Sequence, residues 1–240
     1  MTTPSEQLGR ATGWMTAPLF AAAAALRHAR ALHPVGELFD ATVEMGRPPD
    51  DFDALALALR GRALVRLSGA LWRESDSHLP DVLGCAVRLH DGERSDQDLL
   101  FATIRRPWTT VLAPFTTHVD DYLANDYFTV SPFSLDDVPG RFYMRLRPLR
   151  RSAQGVDRTE RLLRALDAGP IELAIDASYR PRREWREIAL LRIEGLASPA
   201  DPHLRFDPFK AGRGIVPRGV IHALRHGAYA ASQHTRRLFE

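Results

Sequence analysis

The sequence predicts an α+β protein built on an antiparallel β-barrel of about eight strands with flanking helices. Three observations predict it. Seven or eight segments alternate apolar and polar residues with period two. Gly, Asp, Ser and Pro interrupt them at short intervals, as between the strands of hairpins. No strand–helix–strand rhythm of the kind that builds a parallel sheet recurs.

In chain order, the Ala-rich residues 16–32 predict a helix, since alanine is the best helix former. "ELFDATVEM" (37–45) then alternates Phe39, Ala41, Val43 and Met45 against Leu38, Asp40, Thr42 and Glu44, a strand with two different faces. "GRPPDDF" breaks it, and "DALALALRG" reads as a short helix. Three strands follow, "ALVRLSGAL" (63–71), "LGCAVRLHDG" (83–92) and "DLLFATI" (98–104), the last two joined as a hairpin. Residues 107–141 contain Pro107, Pro114, Pro132 and Pro139 and read as loop plus short helix. "RFYMRLRPL" (141–149) is a strand. "DRTERLLRALDA" (157–168) is an amphipathic helix with Leu162, Leu163 and Leu166 inward. "IELAIDASY" (171–179) and "REIALLRIEGL" (186–196) are strands, "FDPFKAGRGIVPRG" is an irregular connector, and 219–238 form the last helix. No internal repeat or low-complexity linker divides the chain, so residues 1–240 are expected to form a single domain.

Composition narrows the function classes. Of the 240 residues, 45% are hydrophobic and 26% charged, enough apolar chain for a sizeable core. The net charge is only +2, and the arginines are interleaved with Asp and Glu, which argues against a nucleic-acid partner. Cys85 is the single cysteine and lies in an apolar run, so a disulfide framework and a cysteine metal cluster are excluded and a buried spectator thiol is expected. No segment reaches the roughly 18 apolar residues of a membrane span. Glu6 and the weak hydrophobicity of alanine argue against a signal peptide, so the expected compartment is the cytoplasm.

Two pairs of residues carry the chemistry. Arg66 and Ser68 share one face of "ALVRLSGAL", opposite Val65, Leu67 and Gly69. A polar strand face ordinarily turns to water. If it turned into a barrel lumen instead, Arg66 would require a buried anion, such as a cofactor carboxylate. In the last helix, Arg225 stands one turn before Tyr229, an i,i+4 spacing that places cation against phenol. The cation favours the phenolate, a hard anionic ligand suited to ferric iron.

The segment containing that pair resembles catalases. Phe206, Asp207 and Pro208 match an FDP motif; Gly214, Ile215 and Pro217 match a glycine–isoleucine–x–proline turn; Arg225 and Tyr229 match the R-x-F-x-Y element that ends in the proximal tyrosine. Upstream, Arg30, His33, Gly36 and Phe39 follow the distal-histidine pattern, Val65-Arg66-Leu67-Ser68 resembles V-R-F-S, and Asp81, Gly84, Ala86, Val87 and Arg88 resemble the next catalase strand. The likeness covers about residues 27–237. It implies a catalase-like core binding one heme b, with Tyr229 as axial iron ligand and Arg225 stabilising its phenolate. It implies His33 as distal acid–base group, Ser68 as its hydrogen-bonding neighbour, and Arg30 and Arg66 as partners of the heme carboxylates. It implies a peroxide and an organic donor as small-molecule substrates, and leaves homo-oligomerisation open.

The chain departs from the family in two places. The catalase run D-L-V-G-N-N-T-P, with its distal asparagine, is here "QDLLFATIRRPW", with Ala102 or Thr103 at that position. The strand after His33 is one residue shorter. The long arm, wrapping loop and C-terminal helical domain of catalases are also not expected. An open pocket of that kind suits a catalase-like peroxidase acting on an organic donor or an organic hydroperoxide, with weak or absent catalase activity. The competing readings are a non-enzymatic β-barrel container for heme or another apolar ligand, and a zinc site on His222, His226 and His234.

Overall fold

A computed structural model describes residues 35–70, 78–90, 96–105, 109, 112–180, 184–198 and 204–218. The sequence-predicted helices 16–32 and 219–238 lie outside the described residues. Ten strands and three α-helices are described: β1 (Val35–Met45), α1 (Asp53–Leu59), β2 (Gly61–Gly69), β3 (Leu83–Leu89), β4 (Gln97–Ala102), the single turn α2 (Ala113–Thr116), β5 (Tyr127–Phe128), β6 (Phe133–Ser134), β7 (Tyr143–Pro148), α3 (Arg158–Asp167), β8 (Ile171–Ser178), β9 (Arg186–Leu196) and β10 (Val216–Pro217).

Eight of the strands close into a barrel in the order β1-β2-β3-β4-β5-β7-β8-β9, and β6 pairs separately with β10. Each neighbouring pair is antiparallel, and β9 returns to β1 to complete the circle. This is the α+β antiparallel barrel that the period-two segments predict. Each strand of the circle has a neighbour on both sides, although β4 meets β5 through the single pair Ala102–Phe128.

The alternation of each strand decides what fills the interior. Phe39, Val43, Val65, Leu67, Val87, Leu99, Phe101, Met144, Leu146, Ile175, Leu191 and Ile193 are buried in one continuous cluster. Side chains fill a small barrel of eight strands in this way, so it is a packed core. A lumen that holds an apolar ligand, as the container reading requires, is contradicted by that filling. Cys85 faces the same core, and burial pushes its thiol far above the ordinary range, as expected of an inert spectator.

One end of the barrel carries a buried ion pair. Arg158, the first residue of α3, and Asp81, ahead of β3, approach to 3.5 Å, with exposures of 1% and 0%. Asp81 also accepts hydrogen bonds from the Ala70 and Val82 amides, at 3.2 and 2.7 Å, clamping the exit of β2 to the entry of β3. Gly69 must be glycine there, because a Cβ would stand 2.6 Å from Arg158 Nη2 and 2.7 Å from Asp81 Oδ2. The predicted inward leucines of α3 do face the core, Leu162 fully buried and Leu163 and Leu166 packed against it half-buried, and the stripe also includes Arg158 and Ala165. Asp157 caps this helix, accepting from the Thr159 and Glu160 amides.

The span 107–141 contains two strands that the sequence reading leaves as loop. β5 has two residues yet bridges β4 to β7, and without it the barrel would not close. Tyr127 anchors it in the core, donating its hydroxyl to the Tyr122 carbonyl at 2.7 Å.

Candidate functional site

Arg66 and Ser68 both leave the barrel on its outer face, because Val65 and Leu67 on the opposite face enter the core. The inward arrangement considered for Arg66 is thereby corrected. Burying a guanidinium among aliphatic side chains costs far more than turning the apolar face inward.

The register assembles an outer surface from β1 to β4. Gly36 pairs with Ser68, Ser68 with Gly84, and Gly84 with Ala102. Four strands thus contribute a row of residues with almost no side chain. The next row is Leu38, Arg66, Ala86 and Leu100. Three larger side chains, Leu38, Arg66 and Leu100, stand in this second row, and Ala86 alone is small. Further along the same face stand Arg88 and Asp98, directly paired across β3 and β4.

The FDP element docks onto this face. Arg88 donates two hydrogen bonds to Asp98, Nε to Oδ1 and Nη2 to Oδ2, both at 2.7 Å. The same guanidinium reaches the Arg205 carbonyl, and the Asp207 amide donates to Asp98 Oδ2 at 2.6 Å. Hydrogen bonding to Asp98 holds the Arg88 guanidinium above its ordinary pKa, against the opposing effect of burial. Phe206 packs against two cations, its ring centroid 5.3 Å from Arg66 Cζ and 5.2 Å from Arg88 Cζ.

The G-I-x-P turn is fixed one rung beyond the Arg88–Asp98 pair, where Leu89 faces Gln97. Gln97, fully buried, donates to the Lys210 and Ile215 carbonyls at 3.0 and 3.2 Å. Arg213 donates to the Ala58 and Arg60 carbonyls, at 3.0 and 2.6 Å, and also to that of His90. Gly214 adopts φ +76°, the left-handed region that glycine tolerates. Val216 and Pro217 then pair with β6. The connector meets β4 and the segment after β5 across a shallow crevice with room for about one water, lined by Leu100, Val130, Ser131, Pro208 and Pro217 among others. Both halves of the connector therefore border the same outer face.

The position of the expected distal asparagine is also visible. Ala102 ends the small-residue row and offers no polar group. Thr103 turns elsewhere: its hydroxyl accepts from the Leu83 amide at 3.1 Å and bonds Thr117 Oγ1 at 2.8 Å. Of the sequence-predicted site residues, Ser68 and Arg66 are brought to one surface. Arg30, His33, Arg225 and Tyr229 lie outside the described residues, as do His222, His226 and His234. Phe206, Arg88 and Asp98 were not singled out individually for the site; the FDP match and the buried charge pair at facing strand positions were the available signals. Among the described residues, no group of three His, Cys, Asp or Glu side chains stands close enough to hold a bare metal ion. No helix among them is long and apolar enough to cross a membrane.

An eight-stranded closed antiparallel barrel with few flanking helices is the architecture of a catalase-like α+β core. Comparison with solved structures bears this out. Catalase A from Saccharomyces cerevisiae superposes with a TM-score of 0.66 at 10% identity, covering 87% of this chain and 60% of that one. A fungal catalase superposes with a TM-score of 0.66 at 11% identity, covering 87% and 58%. The chain spans about three-fifths of the length of these catalases, and the likeness is one of fold. No protein-family model matches the chain, and no curated protein matches its sequence.

Proposed function

We propose that the chain is a heme-dependent, peroxide-using oxidoreductase that oxidises an organic donor or rearranges an organic hydroperoxide. The observation that supports it most is the row Gly36–Ser68–Gly84–Ala102 on the outer face of a catalase-fold barrel, with Arg66 in the adjoining row. Small residues on four successive strands suit a flat macrocycle, and an arginine beside them suits its carboxylates. The residues described therefore fit a heme.

When bound, the heme supplies the electron transfer that cleavage of a peroxide bond needs. The chain's own residues do the rest. Tyr229 would hold the iron, and Arg225, four residues earlier in sequence, would keep its phenol ionised. Arg30 and Arg66 compensate the cofactor carboxylates. His33 takes a proton from the peroxide and returns it to the departing oxygen. Three residues of sequence separate His33 from Gly36, a chain reach of at most about 11 Å. Ser68, in register with Gly36, would be the neighbour that orients the imidazole. Ala102 leaves the peroxide without the amide donor of catalases, which favours donor oxidation over disproportionation. One domain, a soluble cytoplasmic setting and small-molecule substrates complete this reading.

The test is the absorption spectrum and heme content of the purified protein, with Tyr229→Phe beside it. A Soret band that falls sharply in the variant supports the assignment. An unchanged band in Tyr229→Phe refutes the ligand, and a protein that takes up no heme refutes the reading as a whole. Bound heme with no activity toward any hydroperoxide would favour a non-catalytic heme-binding barrel.

A further inference from the structure

We infer that the Ala-rich segment 16–32 docks on the apolar end of the outer face, over Ala70, Val82 and Ile104 and against Leu112 and Phe115; this stands apart from the heme reading. Two residues beyond Ser68 and Ala102, and two before Gly84, come Ala70, Ile104 and Val82. They meet in one apolar cluster, separate from the barrel core, in which Ala70, Val82 and Ala113 of α2 are buried and Ala102 and Ile104 half-buried. The Thr103–Thr117 hydroxyl contact ties the end of α2 to this end of β4. Seated there, the turn leaves Leu112 60% and Phe115 73% exposed, and Leu79, three residues before Val82, is 52% exposed. Single apolar side chains in water are ordinary, whereas three large ones around a floor of small residues mark a surface that another element covers.

Connectivity says which element. Val35 pairs with Gly69, the residue before Ala70. Leu32 stands three residues before Val35, a reach of at most about 11 Å, so the end of segment 16–32 is tethered beside the patch. A second copy has no such tether, which raises the local concentration of the segment to about millimolar. Eight of the seventeen residues 16–32 are alanine, a composition that predicts a helix, and its length would be about 25 Å. Methyl side chains let such a helix approach the alanine floor closely, and Leu19, Phe20 and Leu26 supply bulk to meet Leu112 and Phe115.

The experiment traps this contact in the full chain. Phe115→Cys is combined in turn with Ala22→Cys, Ala23→Cys, Ala24→Cys and Ala25→Cys, which together cover one helical turn. Cys85 stays silent, because it is buried and its thiol is held protonated. A parallel series uses Glu172→Cys on β8, across the barrel from β3, in place of Phe115→Cys. Under mild oxidation, one or two of the Phe115→Cys pairs are expected to crosslink within the monomer about tenfold faster than the β8 pairs, as read on non-reducing gels. Separately, Phe115→Ala is expected to lower the melting temperature by about 3–12 °C, since a covered phenylalanine loses burial that a solvent-facing one does not have. Circular dichroism confirms that each variant is folded. Crosslinking no faster than in the β8 series overturns the docking, and crosslinks that appear as dimers overturn it in favour of a second copy. A Phe115→Ala protein that melts with the wild type also overturns it, whatever the crosslinks show. None of these measurements uses heme, so their failure leaves the heme reading intact.

Discussion

Replacing Asp98 with alanine tests the latch that joins the connector to the barrel. Asp98 is 1% exposed and accepts three hydrogen bonds: two from Arg88 at 2.7 Å and one from the Asp207 amide at 2.6 Å. Removing it leaves the Arg88 guanidinium, itself 5% exposed, with Asp96 at 3.7 Å and the Arg205 carbonyl but without its two short carboxylate hydrogen bonds. Breaking a buried pair by deleting one partner costs about 3–5 kcal/mol. The lost amide bond does not add fully to this, because the three bonds share one acceptor. For a chain of this size each kcal/mol lowers Tm by about 2–4 °C, so the expected fall is about 6–20 °C. Urea unfolding followed by circular dichroism measures the free energy directly. The control is the double variant Arg88→Met with Asp98→Leu. It removes both charges and leaves the Asp207 amide unsatisfied, about 1–3 kcal/mol, and the Arg205 carbonyl, on a half-buried residue that water can reach, without its guanidinium donor. The double variant should therefore be more stable than the single one. An Asp98→Ala protein within about 1 kcal/mol of wild type, or a double variant less stable than the single, would refute the reasoning.

Two further outcomes are expected. Burial, partly offset by Arg158, pushes the Tyr122 hydroxyl up to about 12. The unfolded chain then releases this proton near pH 10 while the folded chain keeps it, so stability falls between pH 10 and 12, by about 2–3 kcal/mol from this residue. In Tyr122→Phe the unfolding free energy measured by urea should decline less steeply over that interval; an identical slope would show that Tyr122 does not carry the effect. On the outer face, Ala102→Asn restores a donor at the end of the small-residue row. Such a donor is worth about 10²–10³ in rate, so oxygen evolved per donor oxidised should rise by at least tenfold in the heme-loaded protein. No rise would show that the residue at position 102 does not set the balance between disproportionation and donor oxidation.

The strands were legible from residue type alone. The alternation in 37–45, 63–71, 83–92 and 98–104 places β1 to β4 within a few residues of their observed limits, because period two is a property of the strand itself. The short helix after "GRPPDDF" and the capped helix α3 were legible for similar local reasons. β5 was not: two residues carry no period, and their place between β4 and β7 comes from the strands on either side. Arg158 was missed in the stripe of α3 because it is charged, and only Asp81, 77 positions earlier in sequence, makes its burial tolerable.

The site shows the same division. Alternation along "ALVRLSGAL" put Arg66 and Ser68 on one face, and nothing local could say which face the barrel would enclose. Closure of eight strands decided it, by enclosing Val65 and Leu67 in a waterless interior where a guanidinium would find no partner. Once that face was committed, strand register set Gly36, Ser68, Gly84 and Ala102 side by side, residues 32, 16 and 18 positions apart in sequence. The sequence by itself determined which residues share a face. Only the tertiary structure decided which face looks out and which strands adjoin, since both are set by burial and by pairing between segments far apart along the chain.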